Sequence, residues 1–214
     1  MQFFTAFLIA ISFKVSATND ELEEFSKMFQ HKRIHQLTAV KQLLSMNPEN
    51  QLRLLDSMLT KMTSVLTESK TILAASNSNL DVAEGKLPAE QKDKSALALV
   101  LENTCLASDI LLRFPDYMLK KLHKNKEFDV LYKWGLGYIN ETVSYLMDDA
   151  TKRLFYLAGQ ELQLGTENDP SYVNPYKKPK SEPKKIMFTD TPPKNEKKPK
   201  KKIKKGPRMT KSEL

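Results

Sequence analysis

His31 and His35 stand four residues apart in the stretch HKRIH, a spacing that lets two imidazoles on one helical face share a metal ion. The catalytic form of that pair has a glutamate directly after the first histidine as general base, but here Lys32 and Arg33 fill the interval. Two added cations disfavour a bound metal, and the segment reads instead as a solvated basic helix face. Asp148-Asp149 pairs two carboxylates at the start of a predicted helix, where capping and the helix dipole account for both. Gly135-Leu136-Gly137 lies inside a helical pattern rather than after a strand, so it cannot cradle a phosphate. Neither GxSxG nor GxxxxGK[ST] occurs in the sequence. The single cysteine, Cys105, cannot form an internal disulfide, a CxxC centre or a zinc cage, which leaves a buried thiol or an intermolecular link. Trp134, with Val130 and Tyr138 at helical spacing, reads as core. No catalytic residue, metal, cofactor or small-molecule substrate is expected.

What remains is chemistry done to the chain. Asn140-Glu141-Thr142 is its one standard N-glycosylation sequon, and Asn140 falls with Lys133, Gly137 and Ser144 on the less apolar face of its segment. A glycan there would point to solvent. The opening MQFFTAFLIAISF is an apolar run short for a membrane span, followed by Lys14 and the small-residue pattern Val15-Ser16-Ala17. That pattern predicts a signal peptide over residues 1–17, cleaved between Ala17 and Thr18. Lys211-Ser212-Glu213-Leu214 is a variant of the lumenal retrieval signal Lys-Asp-Glu-Leu, read by its receptor through the free carboxylate, Glu213 and Leu214. Entry and retrieval signals make sense together, and they predict a protein of the endoplasmic reticulum lumen. Ser212 in place of Asp predicts looser retrieval and partial secretion.

Behind these residues stand helices. Residues 19–46 place Leu22, Phe25, Phe29, Leu37, Val40 and Leu44 at helical spacing, and Asn47-Pro48 ends the segment. A second helix follows from Pro48, with Leu55, Met58, Leu59, Met62, Val65, Leu66, Ile72 and Leu73 on one stripe. After a loop at 77–85, a third starts near Pro88-Ala89 and runs to Phe114, where Pro115 stops it. Its 95–114 stretch is apolar on nearly every side and belongs at the centre, with Asp109 and Arg113 spaced to pair. The corner Arg113-Phe114-Pro115 is the candidate partner surface. Shorter helices are predicted over 116–123, 128–146 and 148–164, with Gly165 as the final stop. Lys32, Arg33 and Gln36 interrupt any a/d seam, which favours a compact bundle of five to six helices at 18–165 over a long coiled coil. With 40% hydrophobic residues, 8% aromatics and six glycines in 214 residues, the chain is all-α rather than a β-sandwich.

Charge divides the chain unevenly. Residues 177–214 hold 15 Lys or Arg against 4 Asp or Glu, a local +11 that, against the whole-chain +8, leaves residues 1–176 at −3. Eight of the eleven prolines lie from Pro170 onward, so no helix or central strand should persist there, and 166–214 is expected to be a disordered basic tail. Its run Lys197-Lys198-Pro199-Lys200-Lys201-Lys202-Ile203-Lys204-Lys205 looks like a nuclear-import signal or a nucleic-acid arm. A chain that enters the secretory pathway does not meet the import machinery, and the run lacks the aromatic interleaving that base stacking needs, so nucleic acid is not the expected partner. In the lumen the same charge suits anionic lipid, nascent chains, ribosomal RNA near a translocon or an acidic chaperone surface.

Several short motifs in fixed order carry a resemblance. Glu102-Asn103-Thr104, Asp109, Leu112-Arg113-Phe114-Pro115, Trp134-Gly135, the Asn140 sequon, Gln160-Glu161-Leu162, Asn174-Pro175, Lys205-Gly206-Pro207-Arg208 and the final Ser212-Glu213-Leu214 resemble the coiled-coil domain-containing protein 134 family. The resemblance spans essentially the mature chain. It implies a non-enzymatic lumenal adapter that assists biogenesis of the chaperone endoplasmin beside the translocon and the oligosaccharyltransferase, protecting it from hyperglycosylation and degradation. The retrieval receptor would be a further partner. Family members are also described as secreted signalling factors and as nuclear adapters that stabilise a histone-acetylation complex, and both remain alternatives. A cytokine-like ligand would likewise be a small helical bundle behind a signal peptide.

Overall fold

The computed structural model of the chain describes residues 19–76, 86–164 and 169–177. Ala17, Thr18, the 77–85 loop, Gly165, the 197–205 lysine run and the 211–214 ending lie outside these described residues. Helix α1 spans Asn19–Ser45 and α2 spans Pro48–Ala75. Between them Asn47 acts as N-cap, its Oδ1 accepting from Asn50 N at 2.9 Å, and Pro48 takes the first helical position, where no N–H is required. Helix α3 covers Gln91–Arg113, α4 Pro115–Lys124, α5 Lys126–Thr142 and α6 Asp149–Glu161, with a 3-10 turn at Ser144–Leu146 before α6. The expected all-α bundle is borne out, with six α-helices and no strand among the described residues.

Caps explain where the boundaries differ from expectation. Helix α3 starts at Gln91 because the Glu90 carbonyl accepts the first bonds of the helix, from the N–H groups of Asp93 and Lys94. Helix α5 tightens into the 3-10 turn after Val143, whose N–H still reaches Ile139 O. Asp148 caps α6 through Thr151 N at 2.8 Å, as its position predicts. The expected stop at Gly165 is corrected to Gln163, which takes a left-handed conformation with φ 53°. Leu164 N then reaches back to Gly159 O, closing the helix in a Schellman turn.

Helix α3 packs against all five other helices. Leu97, Val100, Leu101, Cys105, Ile110, Leu111 and Leu112 are all fully buried on it. It is long and apolar enough to cross a membrane, but 67% of its most apolar window is buried inside the bundle, which marks it as the core helix. Burial of that many aliphatic side chains, at about 1.5–3 kcal/mol each relative to exposure, is the main force holding the helices together. Helix α5 approaches α3 at Gly135, where a Cβ would lie 2.5 Å from Thr104 Oγ1, so only glycine allows this crossing as built. One turn earlier Ser108 donates to Thr104 O at 2.8 Å, so the buried Tyr132 hydroxyl, 2.9 Å away, must be the donor to Ser108.

Two expectations are corrected by packing. On α1 the inward face is Phe29, Arg33, Gln36, Val40 and Leu43, while Leu44 is exposed. The basic stretch is therefore split: His31 and His35 are exposed and meet edge to face with ring centroids 4.6 Å apart, whereas Arg33 is buried. The second correction concerns the tail, expected to begin at 166. Residues 169–177 lie against α3 and α6, with Asn174 buried, because that segment supplies donors to acceptors at the helix ends.

Candidate functional site

The polar groups of α1 and α3 converge on Asp109, which is 1% exposed. Arg33 Nη2 lies 2.8 Å from Asp109 Oδ2, an ion pair whose angle falls short of a hydrogen bond, and Arg113 Nη1 donates to Asp109 Oδ1 at 2.6 Å. Arg33 Nη1 also donates to Gln36 Oε1 at 2.7 Å, and Gln36 Nε2 donates to the Glu102 carbonyl at 2.8 Å. One carboxylate thus holds two guanidinium groups, one from its own helix at i, i+4 and one from a neighbour. A second tie joins the same helices, between Glu21 and the buried Lys94. Such a set fixes register, since sliding α1 along α3 would strand a buried charge. Burial pushes the Glu102 carboxyl above the ordinary glutamate value, an effect that Lys32 partly opposes.

Beside this cluster lies a second polar constellation, built from the 169–177 strap. Asn174 uses its whole amide: Nδ2 donates to Leu112 O at 2.9 Å and to Glu161 Oε2 at 3.0 Å, while Oδ1 accepts from Tyr176 N at 2.9 Å. Leu112 O belongs to the last turn of α3, where carbonyls lack a helical donor. Tyr172 OH is shared between Leu157 O at 3.3 Å and Glu161 Oε2 at 3.1 Å. Burial, with the Glu161 carboxylate second, pushes that phenol up, so it keeps its proton and donates. The Tyr176 ring lies over the Arg113 guanidinium at 4.3 Å, linking strap and charge cluster.

The sequence-predicted residues fall into place as follows. Asp109 and Arg113 pair as their spacing requires. At the Arg113-Phe114-Pro115 corner, the candidate partner surface, Arg113 pairs with Asp109 and lies under the Tyr176 ring, Phe114 is half-buried and Pro115 is buried. Helix α4 begins there at once. Asn140 is exposed at the end of α5, as are Lys133 and Ser144. Cys105 is fully buried, and burial pushes its thiol up to about 12. Trp134 is half-buried, stacked on Tyr138 with centroids 5.3 Å apart and with Lys70 Nζ 5.1 Å above its ring. Among the described residues no three His, Cys, Asp or Glu side chains gather to hold a metal ion.

Sequence reasoning missed Arg33, Gln36, Tyr172 and Tyr176. The signal for the first two was available: positions 29, 33, 36, 40 and 43 repeat with a 4-3-4-3 step, which is one helical face with two polar members.

Fold and site together define a helical-bundle protein whose inner polar groups tie its helices to one another and to the 169–177 strap. The family profile described as "ERK and JNK pathways, inhibitor" matches residues 14–210. Coiled-coil domain-containing protein 134 of Mus musculus is 33% identical over 168 residues, covering 78% of this chain and 71% of the mouse protein. Its counterpart in Xenopus tropicalis is 31% identical over 183 residues, covering 83% of this chain and 77% of the frog protein. The chain belongs to the coiled-coil domain-containing protein 134 family, which bears out the resemblance drawn from its motifs. No solved structure matches it. The short motifs behind that resemblance converge in space: Glu102, Asp109, Leu112, Arg113, Glu161 and Asn174 all contribute atoms to the cluster or the strap cradle.

Proposed function

We propose that this protein is a non-enzymatic adapter of the endoplasmic reticulum lumen, assisting biogenesis of endoplasmin at the translocon and oligosaccharyltransferase and limiting its hyperglycosylation and degradation. The names of the family and of its members suggest a regulatory role rather than an enzymatic one. The observation that carries the compartment is Asn140: a sequon asparagine, solvent-facing at a helix end, on a chain with an apolar leader pattern and a Lys-Ser-Glu-Leu ending. The lysine-rich segment suits capture of an acidic partner surface, a contact that should weaken as salt screens it.

Digestion of the native protein with a high-mannose-specific glycosidase tests the compartment. A gel shift that disappears in Asn140→Gln is expected; an unshifted chain retaining Met1 to Ala17 would sink the lumenal reading. The adapter role is tested by depleting the protein and following endoplasmin, which should gain extra glycan bands and turn over faster. An unchanged endoplasmin pattern contradicts that role.

A second reading, a secreted signalling factor, draws on the description of the family as an inhibitor of the ERK and JNK pathways. The two readings separate at the last residues. Removing Ser212 to Leu214 should deplete the intracellular pool and impair an adapter, whereas a secreted factor should keep its activity.

A further inference from the structure

The strap touches the bundle through polar donors, and its one aliphatic side chain in the docked stretch, Val173, is 81% exposed. Tyr172 and Asn174 face the helices while Val173 between them faces out, as alternate residues of an extended chain do. No large apolar anchor of the strap is buried in the core, and Tyr176 is 45% exposed over Arg113. Beneath it the bundle presents three acceptors, Leu112 O, Leu157 O and the Glu161 carboxylate, beside one guanidinium face. The two carbonyls belong to the backbones of α3 and α6, helices that pack on each other, so they keep their places without the strap, and the Glu161 side chain projects from the end of α6 within reach of the same segment. An emptied cradle leaves a buried-end carbonyl and a carboxylate calling for donors.

The geometry points to a peptide-docking site at the joint of α3 and α6, occupied in this state by the chain's own 169–177 strap and open in exchange to an extended segment of a partner protein. The partner segment it fits carries a tyrosine and, two residues on, an asparagine, which repeat the donor order of Tyr172 and Asn174, with an aromatic ring beyond them to lie over Arg113. The strap is in that sense an internal competitor. Tethered a few residues beyond α6, it holds a high effective concentration over the cradle, so a free segment binds only when the strap lets go. This inference is independent of the lumenal reading, since it rests on the bundle and the strap alone.

The test uses the full chain and a dye-labelled synthetic peptide of residues 169–177. Asn174→Asp removes both amide donors and turns a carboxylate toward Glu161 and the Leu112 carbonyl, so it should free the strap and leave the cradle intact. By fluorescence anisotropy the peptide should bind the Asn174→Asp chain saturably and at least about tenfold more tightly than the unmodified chain, the strap being the competitor. A control peptide carrying the same Asn174→Asp change should not bind. Circular dichroism should show a cooperative melt for the variant chain. The proposal is overturned if the peptide fails to bind the variant, if both chains bind it equally, or if the variant loses its cooperative melt, which would make the strap part of the core.

Discussion

Two polar constellations meet at Arg113 and differ in what stands behind them. Toward α1 and α3 the guanidinium is locked to Asp109, with Arg33 on the opposite carboxylate oxygen and apolar side chains closing off water. Toward the strap it lies under a Tyr176 ring that solvent still reaches. The bonds are similar in length, yet in the first set both Asp109 and its cross-helix partner Arg33 are buried, whereas in the second only Asn174 is buried and Tyr172, Glu161 and Tyr176 all reach solvent. Burial therefore decides which set is a fixed part of the fold. A buried charge deprived of its partner has no water to turn to, while a strap donor that lets go is rehydrated at once.

Breaking the comparison on its strong side should have the largest effect. Asp109→Ala leaves Arg33 and Arg113 buried without a counter-charge and should destabilise the bundle by about 3–5 kcal/mol, read from the midpoint of denaturant unfolding. A loss under about 1 kcal/mol would mean that the cluster is solvated and does not key α1 to α3. Gly135→Ala comes next. Alanine favours a helix by about 1 kcal/mol over glycine, but here its Cβ must push against Thr104 Oγ1 at 2.5 Å, and a net loss on the order of 1–2 kcal/mol is expected. A stabilised variant would show that α5 moves away from α3 freely.

On the weak side, Asn174→Ala should lower global stability by no more than about 1 kcal/mol, a shift of a few degrees in Tm. The smallest effect sharpens the picture at the edge of the cluster. Burial raises the Glu102 carboxyl in the folded chain, so the unfolded chain ionises first as pH rises. Below the ordinary glutamate value both states are protonated and no penalty exists; between that value and the raised one the native state loses stability, and the loss persists at neutral pH. Glu102→Gln should therefore raise Tm at neutral pH and leave it unchanged in acid, as a pair of melts would show.

The same difference explains what the sequence made legible. The apolar run of α3, the Asn47-Pro48 stop and the Phe114-Pro115 break are local signals, and the helices follow them. The Asp109–Arg113 pair was legible too, because both members sit on one helix. The spacing of Arg33 and Gln36 puts them on the inward face of α1, but what they pair with was not legible, because their partners lie 66 residues or more away along the chain. The strap was hidden for a different reason. Its prolines argue correctly against a helix or a strand, but a segment can dock through two side chains without either. Asn174 does so, and only the end of α3 reveals why.

Native-state hydrogen exchange on the full chain, followed at increasing low denaturant, tests the division between core and strap most directly. Amides of α3 from Leu97 to Leu112 should exchange only through global unfolding, with a steep denaturant dependence, while the hydrogen-bonded strap amides of Tyr172, Tyr176 and Lys177 should exchange through local opening that denaturant barely affects. Strap amides that share the protection and the denaturant slope of α3 would contradict the account and make the strap one cooperative unit with the bundle.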